Sequence, residues 1–151
     1  MSDFVPTELY HEFLRNMPLA CVDVVAIHED AFLLVRRADA PARGEWWLPG
    51  GRLRKGERLE DAALRKLAEE VGIRGSAGAL IHTEQTLFRD GPAGIPVHSL
   101  NVCYLVHAES RQVRLDATSA DYRWCTWHPP GLHPYVRHCI WQARCAVARA
   151  A

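Results

Sequence analysis

Gly51–Ile73, GRLRKGERLEDAALRKLAEEVGI, joins a glycine turn, a short polar loop and an acid-bearing helix in one continuous segment. The turn opens at Gly50-Gly51, directly after Pro49. Glycine there lets backbone approach a ligand closely or take a positive φ without steric cost. Glu57 follows after five intervening residues, and Glu60 and Asp61 fall in the first helical turn, where the macrodipole favours acids. Leu59, Ala63, Leu67 and Val71 recur at i, i+4, which predicts one helix face buried against a sheet, and Gly72 is placed to end the helix. Arg65, Glu69 and Glu70 fall off that apolar stripe, with Arg65 within one helical turn of both acids. Clustered carboxylates beside a glycine turn suit a hard cation such as Mg²⁺, which keeps waters and completes its shell with phosphate oxygens.

In register, the segment resembles the Nudix box: G, five residues, E, seven residues, then REUxEExGU, with U a bulky aliphatic. Gly51, Glu57, Arg65, Leu67, Glu69, Glu70, Gly72 and Ile73 all match, while Lys66 stands where the pattern has Glu. The resemblance implies an α/β (α+β) Nudix fold, a mixed β-sheet sandwiched between helices. It also implies a hydrolase dependent on Mg²⁺, or Mn²⁺ in its place. Glu70 is then the best carboxylate ligand, with Glu57 or Glu69 in support. A charged lysine cannot coordinate a metal, so Lys66 implies fewer ions than a full box holds, with one expected.

Further segments are similar to one branch of that family, the GDP-mannose mannosyl hydrolases: Met17-Pro18-Leu19, Arg37 with PARGEWWLPGGR, and DYRW at Asp121–Trp124. Together they span most of residues 7–127. Members of that branch cleave the sugar C1–O bond and release a nucleoside diphosphate. They hold one Mg²⁺ through a glycine carbonyl, a Glu and a side chain from the loop before DYRW, and the matching glycine here is Gly50. Two arginines that assist the leaving diphosphate match Arg37 and Arg52. The branch's Gln-His pair, metal ligand and general base, is replaced by Thr118 and Ser119. Neither is a competent base at neutral pH without an activator. The base candidates are Glu84 in HTEQTLF, taken first, then Asp121 and His98. Each also has a plainer reading, as a solvated carboxylate or as a strand histidine satisfied by a neighbour.

Departure of a diphosphate spreads negative charge over several oxygens, and fixed cations in a water-poor cleft stabilise it more than the ground state. Arg37 and Arg52 can grip phosphate with a planar fork that lysine cannot imitate. Arg65 is counted with them and with Glu84 as catalytic. Arg36 and Arg54 read as solvated neighbours. Trp46 and Trp47 offer stacking surface for a base or sugar, one facing the core and one the substrate, and alternation does not decide which.

The rest of the chain reads as a single domain over residues 1–151, a size at which one core buries roughly two thirds of the unfolded surface. With 18 basic and 18 acidic residues, no global field recruits nucleic acid or a membrane surface. The absence of a bilayer-length apolar run or a signal-peptide pattern predicts a cytoplasmic protein. Cys21, Cys103, Cys125, Cys139 and Cys145 show no zinc spacing and read as reduced core thiols.

Expected elements are a helix at PTELYHEFLRNM with Thr7 as its cap, and a hairpin of CVDVVAIH and AFLLVRR turning at Glu29-Asp30. Strands near ALIHTEQTLF and SLNVCYLVHAE follow the box helix, separated by RDGPAGIP, a loop expected to be mobile and near substrate. YRWCTW is a further strand, and YVRHCIWQARCAVARA is an amphipathic helix whose exposed remainder could pair two subunits as a homodimer. The substrate implied is a small nucleotide. It is a nucleotide sugar such as GDP-mannose, split into sugar and nucleoside diphosphate, or a nucleoside triphosphate or related compound cleaved at a P–O bond. A non-catalytic nucleotide sensor is the reading from a different class.

Overall fold

The computed structural model describes residues 5–151. Helix α1 (Thr7–Asn16) leads into strands β1 (Leu19–His28), β2 (Ala31–Arg37), β3 (Trp46–Trp47) and β4 (Gly50–Arg52). Helix α2 (Leu59–Val71), strands β5 (Gly75–Phe88), β6 (Val97–Ala108) and β7 (Ser119–Cys125), and helix α3 (Pro134–Ala150) complete the chain. The sheet runs β3-β2-β1-β6-β5, with β4 also paired to β1 and β7 to β2. β1 and β6 are parallel along Leu19–Ile27, whereas the other pairs are antiparallel, so the sheet is mixed.

Alternation along β1 divides the core. Val22, Val24 and Ala26 pack with Ala62, Ala63, Leu67 and Val71 of α2 on one face. Val25 faces the other way and joins Tyr135, Val136, Cys139, Ile140 and Ala143 of α3. The predicted α2 stripe is buried, with Leu67 and Val71 fully inaccessible. Burying each is worth about 2 kcal/mol. Gly72 ends α2 at φ 69°, its N–H donating to the Ala68 carbonyl. Two expectations change. Thr7 is the first helical residue and Pro6 takes the N-cap position, where no side-chain hydrogen bond is made. The loop after β5 is tied down, since Ile95 and Val97 are buried with Leu14 of α1.

The cysteines are all free thiols, and Cys139 is buried while Cys145 is half-buried. Among the described residues, no helix is long and apolar enough to cross a membrane.

Candidate functional site

Where β4 crosses the end of β1 and α2 begins its last turns, the sheet opens into a cleft of about 270 Å³. Asp23, Arg37, Trp47, Gly50, Gly51, Arg52, Arg65, Lys66, Glu69, Glu70 and Thr118 are among its lining residues. Gly50 has to be glycine for a local reason. A Cβ there would lie 2.0 Å from Asp23 Oδ1 and 2.6 Å from the Val22 carbonyl, so β4 could not approach β1 as it does.

Arg65 holds the acidic wall together. Its Nε donates to Glu57 Oε1 at 2.6 Å and its Nη2 to Glu57 Oε2 at 2.9 Å, a bidentate pair. The same guanidinium reaches Glu69 and the Arg52 carbonyl. Glu57 also accepts from the Arg54 N–H, and the Arg65 hydrogen bond, outweighing partial burial, holds its carboxyl below the usual range. This changes the expectations for two residues. Glu57 has both oxygens engaged and does not line the cleft, so Glu69 and Glu70 are the box acids that open on it. Arg65 is a strut joining the loop to α2, with its donors directed at protein oxygens.

Lys66 is buried at 6% exposure, its ammonium 3.2 Å from Glu70 Oε1 and 3.5 Å from Glu69 Oε2. Glu70, equally buried, receives the Gly50 N–H on Oε2 at 3.2 Å. Burial pushes the Glu70 carboxyl up to about 7 even with Lys66 and Gly50 opposing it. A buried carboxylate, next to Glu69 and a glycine turn, is a donor set that fits one hard dication. It does not fit several, because Lys66 already stands between the two acids.

Arg37 and Arg52 line the same cleft. Arg37 Nε donates to the Pro41 carbonyl at 2.5 Å, and the Arg52 guanidinium lies 4.0 Å from the centre of the Tyr10 ring. Arg54, expected to be a bystander, also lines the cleft and pairs with Glu69 at 3.6 Å. Of the two tryptophans, Trp47 is buried against Phe88, His133 and Tyr135 yet borders the cleft. Trp46 lies outside the cleft lining, half-buried under Arg123.

The structure moves Glu84 away from this site. Its carboxylate is not in the cleft lining and is held instead by His82 and His138. The strand faces explain it: residues 82, 84, 86 and 88 of β5 share the α3 side, and the cleft reaches only the Thr86–Phe88 end. His98 bonds Gln85, and Asp121 is exposed and accepts from the Tyr122 N–H, so neither faces the cleft. Thr118 does line it, but its hydroxyl donates to Asp116.

Asp23 is the acid that sequence reasoning missed. It lines the cleft at 6% exposure, and Tyr135 Oη donates to its Oδ2 at 2.6 Å. Burial pushes its carboxyl up to about 6, against the Tyr135 hydrogen bond and the Arg37 charge. The available signal was a lone acid inside the apolar strand CVDVVAIH. Cys21, one strand period away, is pushed up to about 12 by burial and by Asp23, so its thiol stays protonated and is no nucleophile.

Residues 17–139 match the NUDIX domain family model. The chain belongs to the NUDIX family. The low-salt glycan biosynthesis protein Agl8 of Haloferax volcanii is 33% identical to this NUDIX hydrolase over 136 residues, covering 87% of this chain and 86% of that one. An ADP-ribose pyrophosphatase of Methanocaldococcus jannaschii is 27% identical over 107 residues, covering 70% of this chain and 61% of that one. Among solved structures, the MutT NUDIX hydrolase of Burkholderia pseudomallei superposes with a TM-score of 0.71 at 26% identity, covering 84% of this chain and 98% of that one. The NUDIX domain of Shewanella oneidensis NrtR, complexed with ADP ribose, gives 0.68 at 29% identity, covering 90% and 97%.

Proposed function

We propose that this NUDIX hydrolase cleaves a nucleoside diphosphate linked to a sugar, with GDP-mannose as the first substrate to test. The observation that carries the reading is that Arg37, Arg52, Glu69 and Glu70 line one small cleft. Two forked cations beside one carboxylate-held cation suit a group with two linked phosphates rather than one. The glycan-biosynthesis name of the Haloferax volcanii relative supports a sugar on the far side of the diphosphate.

A divalent cation such as Mg²⁺, held by Glu69, Glu70 and the Gly50 backbone, would neutralise charge on the departing diphosphate. Arg37 and Arg52 orient the two phosphates and stabilise the charge that grows as the bond breaks. Lys66 adds a tethered positive charge on the acidic side. Asp23 takes the role first given to Glu84: a buried carboxyl titrating near neutrality at the cleft wall can accept a proton from attacking water. Tyr135 fixes its orientation through the hydrogen bond to Oδ2.

The second reading is attack at phosphorus, and the ADP-ribose pyrophosphatase relative and the ADP-ribose-bound NUDIX domain favour it. The two readings differ in the bond broken, and the second extends to nucleoside triphosphates. Incubation with GDP-mannose, ADP-ribose and nucleoside triphosphates in ¹⁸O-water with Mg²⁺ separates them. Label in free sugar with unlabelled nucleoside diphosphate supports glycosidic cleavage. Label in phosphate supports attack at phosphorus. Ligand-dependent thermal stabilisation without any product would replace both with a sensing role.

A further inference from the structure

We propose that His82, Glu84 and His138 form a second metal site, outside the cleft, for a transition-metal dication of the zinc and cobalt class. His82 and Glu84 stand two residues apart on β5 and so share its α3 face, and α3 brings His138 over them. Glu84 Oε1 lies 3.0 Å from His82 Nε2 and 2.8 Å from His138 Nδ1. All three ligand atoms are within 4.8 Å of one another. Around a tetrahedral ion with bonds of about 2.0–2.2 Å, ligand atoms stand roughly 3.3 Å apart, so small side-chain rotations admit the ion.

The donor chemistry selects the metal. Two imidazoles and one carboxylate suit zinc, cobalt or nickel, whereas Mg²⁺ and Ca²⁺ prefer an all-oxygen shell. Both imidazoles donate to the Glu84 carboxylate, which fixes it between them. The His138 side chain is about half exposed, at 53%, which leaves an entry path and room for a water as fourth ligand.

Occupancy would staple α3 to β5 at a point that supports the cleft from behind. Tyr135, which holds Asp23, lies one helical turn before His138. The Glu84 carbonyl accepts from Asn101 Nδ2, which also donates to Thr86 at the cleft. A bound metal would thus stiffen the supports of both Asp23 and Thr86 without entering the substrate cleft.

The test uses chelator-stripped full-length protein with excess Mg²⁺ present to saturate the cleft. Titration with Co²⁺ followed by visible absorption, and with Zn²⁺ by calorimetry and thermal melting, gives one equivalent bound and a raised Tm. His138→Ala and, separately, His82→Asn weaken binding by at least about tenfold and abolish the Tm rise. Alanine at position 138 favours the helix, and melting without metal verifies folding. Binding that is absent from the wild type, survives unchanged in His138→Ala, or shows thiolate-to-cobalt charge transfer from Cys21 or another cysteine overturns the proposal.

Discussion

The Lys66 ammonium sits 3.2 Å from Glu70 Oε1 and shares its burial, so the helix supplies from its own side chain a cation where the family pattern has an acid. Relative to Glu, Lys at this position changes the local charge by two units in the positive direction. The expected consequence is a site that takes fewer metal ions. Lys66→Glu should tighten divalent-cation binding at least about tenfold and add a second bound ion, read by Mn²⁺ titration with electron paramagnetic resonance. Without metal the same variant should lose about 2–4 kcal/mol, because three buried or half-buried acids then crowd together. Unchanged Mn²⁺ stoichiometry and affinity would remove Lys66 from the account of the metal.

Arg65 should matter more for stability than for phosphate contact. Arg65→Lys loses the bidentate grip on Glu57 and the bond to the Arg52 carbonyl, and should destabilise the fold by about 2–4 kcal/mol at pH 7. Glu57 has a depressed carboxyl pKa, so its stabilisation is present above its ordinary value of 4.5 and lost as pH falls below it. The deficit of Arg65→Lys should therefore shrink by pH 3.5 in urea unfolding. An equal deficit at both pH values would mean that the pair carries little of the effect.

Arg37 and Arg52 should behave differently from Arg65. Replacing either with Lys keeps a positive charge at the cleft but removes the planar fork, so kcat/KM should fall about 10–100-fold with a Tm close to wild type. Steady-state rates together with melting curves test this. A large Tm loss at unchanged kcat/KM would assign these arginines to the scaffold.

The β1–β2 hairpin and the box helix were legible because their periodicities are strong and local, whereas the strand order was not read from the sequence. Leu59, Ala63, Leu67 and Val71 mark one helical face, and the runs CVDVVAIH and AFLLVRR meet at a turn only two residues long. The convergence of Arg37, Arg52, Glu69 and Glu70 followed from the family resemblance, since their sequence separations do not reveal it. The resemblance could not place the base, because that depends on strand registers set by distant pairings. Glu84 and Thr86 are equivalent by alternation, yet the cleft ends between them. Asp23 and Tyr135, 112 residues apart, have no sequence signal that joins them. The roles of Trp46 and Trp47 likewise depended on tertiary packing, since Trp47 is buried in the α3-side cluster and Trp46 only partly buried against it.

Asp23 should trade stability for turnover. Burial lifts its carboxyl from an ordinary 3.8 to about 6, so the folded state binds a proton more readily than the unfolded state. The stability this gives is fully present below pH 3.8 and is lost as pH rises through about 6, which leaves the ionised form as a net strain at neutral pH. Asp23→Asn keeps an oxygen to accept from Tyr135 while removing the charge. It should therefore be more stable than wild type at pH 8, by about 2–3 kcal/mol, with the advantage disappearing between pH 6 and pH 4. The same change should lower kcat by at least about a hundredfold and abolish the acidic limb of the pH–rate profile. A variant that is no more stable at pH 8, or that turns over at the wild-type rate with the same pH profile, would return Asp23 to the structural core and leave the proton acceptor to be sought elsewhere along the cleft.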